Sequence, residues 1–247
     1  MCQRSRLATI EPDVSADHGA IDFMITVAML TGQSDQHVIP LSDGHRLQAQ
    51  AAAAFKGLRQ AAAHQGFNLQ PASSFRDFDR QLVIWNGKFH GRRPLLDNAG
   101  QPIDSQKLDE ASRCTAILRW SALPGASRHH WGSDLDIFDP DLLPAGQSLQ
   151  LIPAEYLAGG YFAALTDWLN LRMGDYDFYR PYAHDLGGVA IEPWHLSYRP
   201  LACQAERLLT PEVLLASWKD RDVAGSGWLI SQLPALFRRY IANTDKE

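Results

Sequence analysis

Two short groups of residues carry the side chains most suited to chemistry. Residues 127 to 136 read Ser-Arg-His-His-Trp-Gly-Ser-Asp-Leu-Asp, and residues 191 to 195 read Ile-Glu-Pro-Trp-His. Imidazole nitrogens and carboxylate oxygens are the donors that zinc takes, and a catalytic zinc commonly keeps three protein ligands and one open position for water. His129 and His195, with one of the carboxylates at 134 and 136, would complete such a set. A tight turn at Gly132 could bring the histidine and a strand-borne carboxylate together. Taken singly, each group has an ordinary reading: histidines and aspartates cap turns, and Glu192 and His195 could be a surface pair beside Trp194. Taken together they point to a hydrolytic centre. In it Glu192, close to His195 in the chain, takes a proton from water and passes it to a leaving amine.

A third group, Ser73-Ser74-Phe75-Arg76 with Gln81 beyond it, offers a guanidinium flanked by neutral hydrogen-bonding side chains. A guanidinium makes two parallel charge-assisted bonds to a carboxylate, which suits Arg76 to clamping the free end of a peptide. The competing use of Arg76 is a salt bridge to Asp77 or Asp79.

These residues need a frame. The alanine-rich run from His45 to His64 has helical spacing and Gly66 follows it as a C-terminal cap. Phe67–Ser74 reads as extended and leads to a helix from about Asp77 to Phe89, with Phe78, Leu82, Trp85 and Phe89 on one face. Gly91–Pro102 reads as a surface loop and Ser105–Ala116 as a weaker helix. Ser133–Phe138 alternates polar and apolar residues, the signature of a strand with one polar face, so Asp134 and Asp136 point the same way and spacing does not choose between them. Pro153 opens a helix expected to run through Leu171 and close at Gly174, Val189–Tyr198 is a second strand, and Thr210-Pro211-Glu212 starts a helix to Lys219. Trp228–Ile241 forms a final amphipathic helix with a bend at Pro234. Helices mixed with short strands, without regular alternation, predict an α+β fold: a small, mainly antiparallel sheet flanked by helices.

The 247 residues include 45% apolar and 21% charged side chains and seven tryptophans, an ordinary globular composition. A net charge of −5 gives no affinity for nucleic acid or anionic lipid. Cys2, Cys114 and Cys203 are too widely spaced for a thiolate metal site and are consistent with a reducing compartment. Arg4 and Arg6 precede acidic residues, not an apolar core, and the apolar stretch Ala20–Leu30 is short and holds Asp22, so neither a secretory leader nor a membrane span is expected. The expected location is cytoplasmic. Residues 1–40 read as an extension of uncertain role, within which Met24 and Met29 are alternative starts, and 41–247 as one domain with a C-terminal helical extension.

In order, the three groups resemble the VanY-type D-alanyl-D-alanine carboxypeptidases, zinc peptidases related to the VanX dipeptidases and the murein endopeptidases. The family pattern S-x-x-R-x-x-x-x-Q matches Ser73, Arg76 and Gln81; S-x-H-x-x-G-x-x-x-D matches Ser127, His129, Gly132 and Asp136; E-x-W-H matches Glu192, Trp194 and His195. The resemblance spans roughly Ser73 to Tyr198. It implies zinc on His129, Asp136 and His195, with the site on the sheet. It makes Glu192 the general base and Arg76 the residue that binds substrate and steadies the oxyanion. Ser73 and Gln81 would help hold the terminal carboxylate, and Ser127 would contact the substrate backbone. The implied substrate is a peptidoglycan-derived peptide ending in D-alanine, cut at a D,D or an L,D bond. A murein endopeptidase with the same zinc site and a catalytically silent peptide-binding module are the competing functions. Two positions depart from the pattern: Asp134 stands where a small residue is usual and His130 where Gln is common. Either could orient a ligand or make ordinary structural hydrogen bonds.

Overall fold

The computed structural model describes residues 24–41, 44–98 and 100–246, so residues 1–23 of the expected extension lie outside the described part. The described part of that extension is tied into the fold. Helix α1 (Val27–Leu30) buries Leu30, the Gly32 carbonyl accepts from the Phe78 amide, and strand β1 (Val38–Pro40) pairs antiparallel with β2 (Arg46–Gln48).

The first long helix, α2 (Ala49–His64), begins later than the His45 expected from composition. Residues 46–48 are extended against β1, and the Gln48 side chain accepts from the amides of Gln50 and Ala51, which fixes the start of the helix. Ala51, Phe55, Leu58 and Ala62 recur at helical spacing and are buried. Strand β3 (Gln70–Ser73) and helix α3 (Phe78–Phe89), capped by Asp77, follow as expected. The loop over 91–102 is less irregular than its composition suggests, for Leu95–Leu96 (β4) and Pro102–Ile103 (β5) pair within it. The weaker helix is divided into a 3-10 turn, Ser105–Lys107, and α4 (Glu110–Leu118), because Asp109 caps a new start.

Strand β6 (Asp134–Phe138) is central to the site. The helix expected over 153–171 breaks into α5 (Pro153–Tyr156) and α6 (Ala163–Arg172). Gly159 has a φ of 91° between them, and a side chain on Gly160 would meet the Ala154 and Glu155 carbonyls at 2.4 Å. After β7 (Phe178–Tyr179), the strand expected over 189–198 shortens to β8 (His195–Tyr198), because Pro193 holds the preceding residues in a turn closed by the His195 amide on the Glu192 carbonyl at 3.0 Å. Helix α7 (Arg199–Leu208), which the sequence pattern does not announce, follows at once, with Pro200 in its first turn. Then come α8 (Pro211–Ser217), capped by Thr210, and α9 (Ser226–Leu236), which contains Pro234 and passes into a π-helical turn, Phe237–Ile241.

The main sheet has the order β3-β6-β8-β7 with every pair antiparallel, so the fold is the expected α+β arrangement. Leu135, Ile137 and Leu196 turn from it into a core with Phe55, Leu58 and Phe178. A second core joins Phe78, Trp85, Ile117, Leu214, Trp218 and Leu229 among the helices. No helix of the described residues is long and apolar enough to cross a membrane.

Candidate metal centre and its cavity

Strand register builds the site. Ser73 faces Asp136 across β3 and β6, and Asp136 faces His195 across β6 and β8, so three residues separated widely in sequence form one row across the sheet. Residues directly opposite on antiparallel strands have Cβ atoms about 4.5–5.5 Å apart, close enough for their side chains to meet. His129 enters from a 3-10 turn, Arg128–Trp131, that ends at Gly132 with a φ of 70°. A Cβ on Gly132 would lie 2.6 Å from Val38 Cγ1 and 3.0 Å from the Gln48 amide, so both the backbone conformation and the close approach require glycine there.

The donor atoms of His129, Asp136 and His195 all lie within 4.8 Å of one another, and all three residues are buried. His129 Nδ1 donates to the Ser74 carbonyl at 2.9 Å, which leaves Nε2 as the lone-pair nitrogen, 3.5 Å from Asp136 Oδ2. His195 contacts Asp134 through Nε2 at 2.9 Å and turns Nδ1 toward Asp136 Oδ1 at 3.6 Å. Ligands about 2.0–2.1 Å from a tetrahedral ion stand roughly 3.4 Å apart, and the separations of the two histidine nitrogens from Asp136 lie near that spacing. The three residues form a candidate metal site.

The two aspartates that share a face of β6 have separate surroundings. Asp134 is fully buried and accepts from Arg128 Nε at 2.8 Å, from Ser197 Oγ at 3.0 Å and from Ser133 Oγ, besides touching His195. Burial works against its charge, but Arg128, His195 and the Ser133 hydroxyl together outweigh it and hold the carboxyl well below the usual range. Arg128 in turn is held by Glu206, Tyr179 and Ser197. Asp134 thus stands behind His195 and orients it, while Asp136 faces the open side. His130 accepts from the Gly125 amide through Nε2 at 3.1 Å and donates from Nδ1 to the Arg76 carbonyl at 2.6 Å. It ties the segment carrying Arg76 to the turn carrying His129, and burial pushes its pKa down to about 3.

Glu192 Oε2 is 2.9 Å from His195 Nδ1, and burial raises the Glu192 pKa against the opposing effect of His195. Burial also works against the His195 cation, but bonds to Asp134 and Glu192 and the charge of Asp136 prevail and lift His195 to about 9 in the absence of a metal. Tyr182 packs edge-on against the His195 ring, with centroids 5.2 Å apart.

Arg76 donates from Nε to Ser73 Oγ at 3.1 Å, from Nη1 to Gln81 Oε1 at 3.2 Å and from Nη2 to Asp136 Oδ2 at 3.1 Å. Gln81 is buried, and its amide nitrogen donates to the Ala122 carbonyl at 2.8 Å, so both ends of that side chain are engaged. Ser73 and Gln81 therefore act on Arg76, and the salt bridges from Arg76 to Asp77 or Asp79 do not form; Asp77 caps α3 and Asp79 pairs with Arg221. Ser127 lines the cavity beside His129.

That cavity, about 240 Å³, opens onto Arg76, His129, Asp136, Glu192 and His195. Residues 44–201, which supply most of its lining, match the family model described as VanY, D-alanyl-D-alanine carboxypeptidase. The chain belongs to the VanY family. Two uncharacterized proteins of Haemophilus influenzae strain Rd are similar to this VanY-family chain. One is 48% identical over 121 residues, covering 48% of this chain and 92% of its own length, and the other 55% identical over 103 residues, covering 40% and 70%. A solved structure titled VanYB in complex with D-alanine-D-alanine shares the fold, with a TM-score of 0.51 and 22% identity over 74% of this chain and 90% of that one.

Several cavity residues of this VanY-family member carry no pattern in the sequence. Lys88 lies seven residues beyond Gln81 on α3, a spacing that returns to the same helix face and is the one signal that marks it. Tyr240 and Ile241 reach the cavity from the π-helical turn, outside the family-matched segment. Leu151 also lines it with a φ of 53°, held there as the amides of Gln150 and Ile152 donate to the buried carboxylate of Glu155 at 3.0 and 3.4 Å.

Proposed function

We propose that this protein is a zinc metallocarboxypeptidase that removes the C-terminal D-alanine from peptidoglycan stem peptides. The observation that carries this reading is the juxtaposition, around one small cavity, of two imidazoles and a carboxylate with an adjacent carboxylate and a guanidinium.

His129 Nε2, Asp136 and His195 Nδ1 would hold the ion; two nitrogen donors and one oxygen donor suit zinc, with a further position left open for water. Zinc, when bound, supplies Lewis acidity, which acidifies water and polarises the scissile carbonyl. Glu192 takes the proton of the attacking water and returns it to the departing amine as the C–N bond breaks; a carboxylate whose pKa burial has raised is suited to both transfers. Arg76, held by Ser73 and Gln81, supplies fixed positive charge for the developing oxyanion and the peptide terminus. Ser127 contacts the substrate backbone. Asp134 and Tyr182 keep His195 in its tautomer and orientation. The products are free D-alanine and a peptide shortened by one residue.

An exopeptidase fits better than an endopeptidase because Leu151, Trp120, Tyr240 and Ile241 wall the cavity, and a cation at its head suits a free carboxylate more than a continuing chain. Both D,D and L,D bonds present a D-alanine carboxylate that Arg76 would bind. The test is release of free D-alanine from a peptide ending in that residue, followed with a D-amino-acid oxidase assay before and after chelation. Release that stops with chelator and returns with zinc supports the reading, and chelator-insensitive release counts against it.

A further inference from the structure

Lys88 occupies the last turn of α3 and lines the same cavity as Arg76, Glu192 and His195. Its ammonium donates to Ser121 Oγ at 2.7 Å. Among the described residues the lysine ion pairs are those of Lys107 and Lys246, so Lys88 faces the cavity with a neutral hydrogen-bond partner and no carboxylate at ion-pair distance. A cation withdrawn from water without a counter-ion is costly, and one hydroxyl uses one of its three donors. Burial accordingly brings its pKa down to about 8, with Arg76 and Arg93 pushing the same way against Glu192. A carboxylate arriving from solution would supply what the fold withholds.

Arg76 stands just before α3 and Lys88 lies in the last turn of that helix, and both line one cavity, so a single peptide carrying two carboxylates can meet both cationic heads. Arg76 is already placed for the terminal one.

We propose that Lys88 and Ser121 form a second carboxylate subsite, which selects peptides bearing a side-chain carboxylate near the C-terminus. This rests on the carboxypeptidase reading for the place of Arg76, but not for the charge preference itself. Two peptides alike except that diaminopimelate in one is replaced by lysine in the other, at the residue preceding the terminal D-alanine, differ by that carboxylate and serve as probes.

Binding is measured by calorimetry on the zinc-loaded full chain carrying Glu192→Gln, so that no peptide is consumed. The diaminopimelate peptide is expected to bind about tenfold to a hundredfold more tightly than the lysine peptide, as fits a charge-assisted bond. Lys88→Met should weaken the diaminopimelate peptide to the level of the other, Lys88→Arg should retain the preference, and Ser121→Ala should reduce it by a smaller factor. Equal weakening of both peptides by Lys88→Met would assign Lys88 to the shared terminal carboxylate or to the electrostatics of Glu192 and overturn the proposal. Unchanged binding of both, or no preference in the parent protein, would overturn it too. If the preference is present but wild-type protein releases no alanine, the subsite stands and the carboxypeptidase reading falls. If alanine is released without any preference, the carboxypeptidase reading stands and the subsite falls.

Discussion

Replacing Asp134 with Asn separates the orienting carboxylate from the ligand more cleanly than any other change. The two side chains have nearly the same shape. The amide keeps one oxygen for Arg128 and His195 and turns its nitrogen toward Ser133 and Ser197, whose hydroxyls can accept, so what is lost is mainly the charge. Breaking a buried ion pair costs about 3–5 kcal/mol when the remaining charge has no other partner. Arg128 keeps Glu206 at 2.6 Å, so the expected loss of stability is near the low end, about 3 kcal/mol. His195 also loses the anion behind its Nε2, and a lost outer partner of a ligating histidine weakens metal binding about tenfold to a hundredfold. Denaturant unfolding of the metal-free protein and competition for zinc against a chromogenic chelator measure the two effects. Asp136→Asn, by contrast, removes a proposed direct ligand and should lower zinc affinity much further than Asp134→Asn. If the two variants lose zinc equally, or if Asp134→Asn leaves both stability and affinity unchanged, the division of labour between these aspartates is wrong.

Glu192→Gln should retain zinc, measured by atomic emission, and lose about 10²–10⁴-fold in kcat, the usual contribution of a general base; substantial residual turnover would remove Glu192 from that role. Gln81→Ala leaves the Arg76 guanidinium without one of its acceptors and the Ala122 carbonyl without its donor. It should lower kcat/KM for D-alanine peptides with unchanged zinc content. The His130 pKa is depressed to about 3, so its contribution is fully present above the unfolded value near 6.5 and is lost as the pH falls toward 3, by up to roughly 1.4 kcal/mol per pH unit. Denaturant melts at successive pH values should show this slope, and His130→Asn should reduce it.

The legible part of the site consists of residues whose chemistry is rare at their spacing. His129, Asp136, His195, Glu192 and Arg76 stand out by type and order, and the structure brings all five to one cavity. The choice between Asp134 and Asp136 is not legible from spacing, because period-two alternation puts both on one face; the family resemblance selects Asp136, and Arg128, Ser133 and Ser197 closing around Asp134 give the physical reason. Ser73 and Gln81 are recognisable in sequence, but their targets require a structure, since a hydroxyl and an amide can serve a substrate or an arginine equally well. Helices with strong caps, such as those started by Asp77 and Thr210, begin where the sequence places them. Those interrupted by a glycine pair, as at Gly159-Gly160, or opened directly from a strand, as α7 is, do not, because local propensity gives no sign of which signal prevails. The cavity wall from Tyr240 and Ile241 depends on packing between distant segments, which no local pattern encodes.

The central claim is most directly tested by mass spectrometry of matched stem peptides, a tetrapeptide and a pentapeptide, incubated with the zinc-loaded protein. Loss of a single C-terminal alanine from one or both is the predicted result, and which peptide is shortened identifies the bond cut. Zinc held at the site with neither peptide losing alanine, or products arising from an internal bond, would contradict it.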